Sequence, residues 1–121
     1  MTCNCKHNNY EAVLSQGVPF SVAMTVTDAS GEPTTLDAGE RLIIALYDAI
    51  GSRITYGDTQ DGTIVYDIAS GKYVYDVTSE TSMRCVGGVK VEATMADSDG
   101  ASDSPDPVEI YFEPRQNNEL I

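Results

Sequence analysis

Cys3, Cys5 and His7 form the one cluster of soft ligands in the sequence, in the run Met1-Thr2-Cys3-Asn4-Cys5-Lys6-His7-Asn8-Asn9. Thiolates and imidazole suit zinc, but a closed zinc site takes four ligands, commonly from CxxC-type pairs whose spacing lets both sulfurs reach one ion. Here a single residue separates the cysteines, and the third cysteine, Cys85, falls in a predicted strand. Two other readings stand beside metal binding: a solvated segment with exposed thiols, and an arm that docks on a neighbouring subunit. A second cluster is acidic: Asp97, Asp99, Asp103 and Asp106. Calcium wants roughly six to eight oxygens from carboxylates and carbonyls. Asp97-Ser98-Asp99-Gly100 opens like a calcium loop but lacks the third acidic position and the closing Glu of an EF-hand. A solvated loop tip is the alternative.

The rest of the chain offers little to catalysis. General acid–base work needs two carboxylates or a histidine held in a cleft, and the sole histidine, His7, lies in the polar N-terminal run. A nucleophile triad has no positioned base to use. No P-loop and no GxGxxG is present. The expectation is a protein that is not an enzyme and has no cofactor. Tyr47, Tyr56, Tyr66, Tyr73, Tyr75 and Tyr111 either line a sugar- or partner-binding surface or pack into the sheet faces with their hydroxyls at the rim.

Charge narrows the partners. With 19 Asp and Glu against 7 Lys and Arg the net charge is -12. Phosphate neutralisation needs clustered Lys or Arg, so nucleic acid is excluded as an expected partner. An anionic membrane surface is excluded on the same ground. No long apolar run predicts a transmembrane helix, and no apolar stretch precedes the first cysteines as an export signal would require. An odd number of cysteines in a chain without such a signal predicts free thiols and a cytoplasmic origin.

The elements that must position these residues read as strands. Phe20, Val22, Met24 and Val26 alternate with Ser21, Ala23, Thr25 and Thr27, a period of two with one buried face. Asp28-Ala29-Ser30-Gly31-Glu32-Pro33 is a turn. Arg41 to Asp48 is nearly continuously apolar and reads as a central strand, with Arg53 to Tyr56 as its hairpin partner. Thr63 to Ile68 and Lys72 to Thr78 are joined by a loop short enough to force an antiparallel hairpin. Thr78 or Ser79 can cap one helical turn that crosses between sheets. Val89, Val91, Ala93 and Met95 share the inner face of the next strand. Asp97 to Pro107 is a hairpin tip, and Val108 to Phe112 is a closing strand. Tyr10 to Leu14 opens the set.

Short strands with turn signals roughly every 8–12 residues, no long helical pattern and no βαβ alternation predict an all-β, immunoglobulin-like antiparallel β-sandwich of about seven strands. The sandwich spans residues 10–114, between a flexible arm at 1–9 and a tail at 115–121. Three stretches resemble immunoglobulin-like modules of tailed-bacteriophage virion proteins, such as the N-terminal domain of baseplate upper proteins and related tail, fibre and head-decoration modules. They are Gln16-Gly17-Val18-Pro19-Phe20 with its Asp28–Gly31 turn, Gly71-Lys72-Tyr73 through Thr81, and Gly87-Gly88-Val89 through Met95 with the acidic hairpin and Val108–Phe112. Together they cover about residues 16–113.

The resemblance implies a non-enzymatic structural or attachment role in a virion, assembled in the bacterial host cytoplasm from repeated copies. Its partners would be other virion or assembly subunits. The contacts then fall to the two ends, Cys3, Cys5 and His7 on one side and Arg115, Leu120 and Ile121 on the other. The alternative is a carbohydrate- or cell-surface-binding module in which the aromatics and a calcium ion at Asp97–Asp106 form the site.

Overall fold

A computed structural model describes residues 11–97, 100 and 102–114. Among them nine strands form two facing sheets. In chain order they are β1 (Ala12–Ser15), β2 (Phe20–Met24), β3 (Arg41–Tyr47), β4 (Arg53–Asp58), β5 (Ile64–Asp67), β6 (Lys72–Val77), β7 (Gly87–Ala96), β8 (Ser102–Asp103) and β9 (Val108–Glu113). One helical turn, α1 (Ser79–Ser82), lies between β6 and β7. The larger sheet runs β1-β9-β7-β3-β4, with β8 hung on β7; the smaller runs β2-β6-β5. The all-β sandwich expected from the sequence is the fold observed.

The core lies where the inner faces meet. Leu42, Ile44 and Leu46 of β3, Val89 and Val91 of β7, and Ile110 and Phe112 of β9 face Tyr73, Tyr75 and Val77 of β6 and Ile64 of β5, all buried. Each set alternates along its strand, because side chains of period two reach only one face. The pairing keeps these sets together: Leu42, Ile44 and Leu46 lie opposite Met95, Ala93 and Val91. A slip of one residue would turn every one of them to the outside.

Three details differ from the sequence reading. β1 pairs with β9 in parallel, Ala12 opposite Ile110, so the sandwich is not wholly antiparallel. β2 stops at Met24, and the chain curls back through a Thr27–Pro33 bridge, where the Val26 carbonyl accepts from the Thr34 N–H; Val26 stays buried without being in the strand. The segment 97–107 is not a bare tip, since Ser102–Asp103 pairs with Met95–Ala96.

The helical turn has the expected cap. The Thr78 hydroxyl accepts from the Thr81 N–H at 3.2 Å. It is also tied to the β1–β2 link: the Gly17 N–H donates to the buried Ser82 Oγ, Ser79 Oγ donates to the Gly17 carbonyl, and Gln16 Nε2 donates to the Met83 carbonyl. This closes one end of the sandwich, with the Phe20 and Phe112 rings 5.2 Å apart behind it.

Aspartates make the turns. Asp28 Oδ1 accepts from the N–H groups of Ser30 and Glu32, and Asp48 Oδ1 accepts from those of Ile50 and Ser52, with Gly31 and Gly51 at positive φ in each. A short acceptor two residues ahead of the N–H it binds mimics the backbone and fixes the bend. Asp61 holds Thr63 in the same way. The Ser30 hydroxyl foremost, with neighbouring backbone N–H groups, holds the Asp28 carboxyl below the ordinary aspartate range, and the Thr63 hydroxyl does so for Asp61. Depressed folded values mean that these bonds add stability above the ordinary aspartate range and lose it as pH falls through the folded values. In a carboxyl-detected NMR titration Asp28 and Asp61 are expected to titrate below the ordinary aspartate range. Titration within that range would count against the turn bonds.

Candidate functional site

The two sides of the sandwich differ. On the β4–β5 side the sheets are closed by direct bonds. Thr55 Oγ1 and the Tyr75 hydroxyl lie 2.7 Å apart, and the Asp58 N–H donates to Thr63 Oγ1 at 2.8 Å. The buried Asp58 carboxylate takes the Arg41 guanidinium and the Gln60 N–H. On the β2–β9 side β2 is the last strand of the smaller sheet, whereas β1 lies beyond β9 in the larger. A cleft opens there between the inner faces, in two adjoining cavities of about 330 Å³ and about 240 Å³ that share Met24, Ala93 and Pro105. Ile44, Val91 and Val108 line the larger, with Glu11 and Asp106 at its rim; Leu42 and Met95 line the smaller.

The sequence-predicted residues fall as follows. Cys3, Cys5, His7, Asp99, Arg115, Leu120 and Ile121 lie outside the described residues. Of the acidic cluster, Asp97 directly follows β7, Asp103 belongs to β8 opposite Met95, and Asp106 lines the cleft. The Asp97 carbonyl accepts from the Gly100 N–H at 3.0 Å, as the carbonyls of Asp28 and Asp48 do from Gly31 and Gly51. The Asp-x-x-Gly spelling therefore marks the same turn at all three places. Among the described residues no group of three or more His, Cys, Asp or Glu is placed to hold a metal ion.

The tyrosines do not form one surface. Tyr73 and Tyr75 are buried with their hydroxyls engaged, Tyr73 accepting from the Leu36 N–H at 2.8 Å. Tyr56 lies on the outer face of β4 under the Arg53 guanidinium, 4.3 Å from its ring centre. Cys85 is fully buried, and burial raises its thiol pKa above the ordinary value. A protonated, enclosed thiol is a poor nucleophile and a poor ligand.

Sequence reasoning passed over Met24 and Met95, treating both as ordinary members of two inward-facing alternating series. In the structure both residues line one cavity. The available signal was compositional: both inward-facing series carry a methionine, and in the fold each is the last inward-facing residue of its strand. Thioethers are soft ligands for copper(I) and pack well against apolar walls. The sequence segment with Cys3, Cys5 and His7 joins the sandwich at Glu11, on the rim of this cleft. Chain lengths of four, six and eight residues separate His7, Cys5 and Cys3 from Glu11, which allows reaches of up to roughly 14, 20 and 27 Å.

No family model and no curated protein matches the sequence. Among solved structures the fold is similar to the crystal structure of CopC from Methylosinus trichosporium OB3b, with a TM-score of 0.53 and 16% identity, over 91% of this chain and 89% of that one. The expected virion role is overturned by this finding, and with it the head-decoration, tail and virion-localisation readings: the likeness leads to CopC, and nothing found leads to a phage protein. The carbohydrate-binding alternative gains no support either. The physical reason lies in the motifs. Gly71 takes φ 70° to close the β5–β6 hairpin and Tyr73 fills the core, needs that any sandwich has. What the likeness to CopC shows is the fold, a β-sandwich of the same overall arrangement.

Proposed function

We propose that this protein binds a soft transition-metal ion, copper(I) foremost, through Cys3, Cys5 and His7 together with the thioethers of Met24 and Met95. The observation that carries the reading is the convergence of Met24 and Met95 on one cavity beside the point where the Cys/His segment joins the sandwich. Thiolate and thioether donors select copper(I), whereas carboxylate and carbonyl donors would suit magnesium or calcium. Five donors from two sources offer what the spacing of Cys3 and Cys5 alone did not, a ligand set larger than a single pair. The reading departs from the sequence expectation of no cofactor. Because the thiols must lose their protons to bind, affinity rises with pH up to the thiol range.

Competition with a chromophoric copper(I) chelator under anaerobic, reducing conditions tests this. One copper(I) per chain is expected. Cys3→Ser with Cys5→Ser weakens it by about 100-fold or more, and Met24→Leu with Met95→Leu by about tenfold. Zinc affinity falls in the first variant and holds in the second, since zinc does not favour thioethers. Failure to compete with the chelator, or a copper(I) affinity indifferent to both pairs of substitutions, overturns the proposal.

A further inference from the structure

The open side of the sandwich carries a second inference, made for the metal-free protein, since an ion held at Met24 and Met95 would occupy the adjoining cavity. β2 pairs with β6 along one edge and with no strand along the other, among the described residues. Its inward side chains are correspondingly unfinished. Phe20, Val22 and Met24 are only half-buried, whereas Tyr73, Tyr75 and Val77 on the neighbouring strand are buried. Val108, opposite the buried Val91 on the inner face of the other sheet, remains 41% exposed. The larger cavity lies between Val22 and Met24 of β2 and Val91 and Val108 of the other sheet.

Edge strands are ordinarily guarded by charge, proline or shortness, because their free N–H and C=O groups template pairing. The other edges have such guards: β4 carries Arg53 and Asp58, β5 is four residues long and ends in Asp67, and β1 is four residues long. β2, Phe-Ser-Val-Ala-Met, has no charge and no proline along its length. We propose that β2 accepts an extended apolar strand from a basic partner protein, which would add to the smaller sheet and cover Val22 and Val108. Main-chain bonds to the edge would give affinity, and alternate side chains entering the cleft would give specificity. The basic character follows from charge complementarity, since Glu11 and Asp106 stand at the rim of a chain of net charge -12.

The probe is a fluorescent nine-residue peptide alternating valine and threonine between terminal lysines, titrated into the full-length, metal-free protein. Saturable binding is expected, at least about tenfold tighter than for the same peptide with terminal glutamates, and weakened about tenfold by Val108→Glu. Amide shifts should change at Ser21, Ala23 and Val108 and not along β4, a readout that does not depend on the variant folding. Equal binding of a peptide interrupted by proline, shifts confined to β4 or β5, or no saturable binding overturns the proposal. So does concentration-dependent self-association that Val108→Glu abolishes, which would make the occupant a second copy. Peptide binding seen only after residues 1–9 are deleted would assign the cleft to the chain's own N-terminal segment, and overturn it likewise.

Discussion

Replacing Phe112 by alanine is expected to lower the free energy of unfolding by about 3–5 kcal/mol. Phe112 is fully buried on β9, a strand held between β1 on one side and β7 on the other. Ladders on both sides keep the backbone from collapsing into the vacated volume, and incomplete relaxation is what makes a core truncation expensive. The ring also loses its partner Phe20, tilted against it at the closed end of the sandwich. In urea denaturation followed by far-ultraviolet circular dichroism, the midpoint should fall sharply with the slope unchanged. A loss below about 1 kcal/mol would mean that this end is not packed as described.

Gly57→Ala, one methyl group, should cost about 1–3 kcal/mol. The reason is space rather than backbone freedom. A Cβ at Gly57 would stand 2.6 Å from Tyr75 Cδ1, 2.8 Å from its Cε1 and 3.0 Å from Ile64 Cγ1. Tyr75 has no easy retreat, because its ring is buried and its hydroxyl is paired with Thr55. At Gly57 the strand lies this close to Tyr75 and Ile64 because it presents no side chain at that position. A double-mutant cycle checks this: with Tyr75→Ala in the background, the added methyl should cost much less, and the two changes should be clearly non-additive. Additive costs would place the strain elsewhere.

The sandwich was legible in the sequence wherever one face of a strand is dry and the other wet. Phe20 to Met24 and Val89 to Met95 each spell their inner face by alternation, Leu42 to Leu46 spells a central strand by its unbroken apolar run, and Thr78 spells the cap of the helical turn. The parallel pairing of β1 with β9 was not legible, because a four-residue strand carries no record of the direction of its neighbour. Nor was the cleft. It is the absence of a strand beside β2, and absence leaves no pattern in the residues that border it. Met24 and Met95 looked like ordinary core positions, since thioethers satisfy an apolar face as well as they satisfy a soft ion. The Asp97–Gly100 spelling misled because a turn and the opening of a calcium loop both favour a short acceptor followed by glycine. The phage resemblance rested on Gly71, Tyr73 and Gly87, all placed by geometry that unrelated sandwiches share.

The aspartate turns bear on how the chain tolerates substitution. Its acidity reads at first as a diffuse surface property, adjustable residue by residue. Asp28, Asp48 and Asp61 are instead joints in the backbone, each holding N–H groups that asparagine could still receive but alanine and lysine could not. Glutamates on the outer faces, such as Glu92 and Glu109, carry no such duty in the pairing of their strands. Substitutions that move the net charge of -12 towards neutrality are therefore expected to be tolerated at such glutamates, while the turn aspartates accept asparagine and little else.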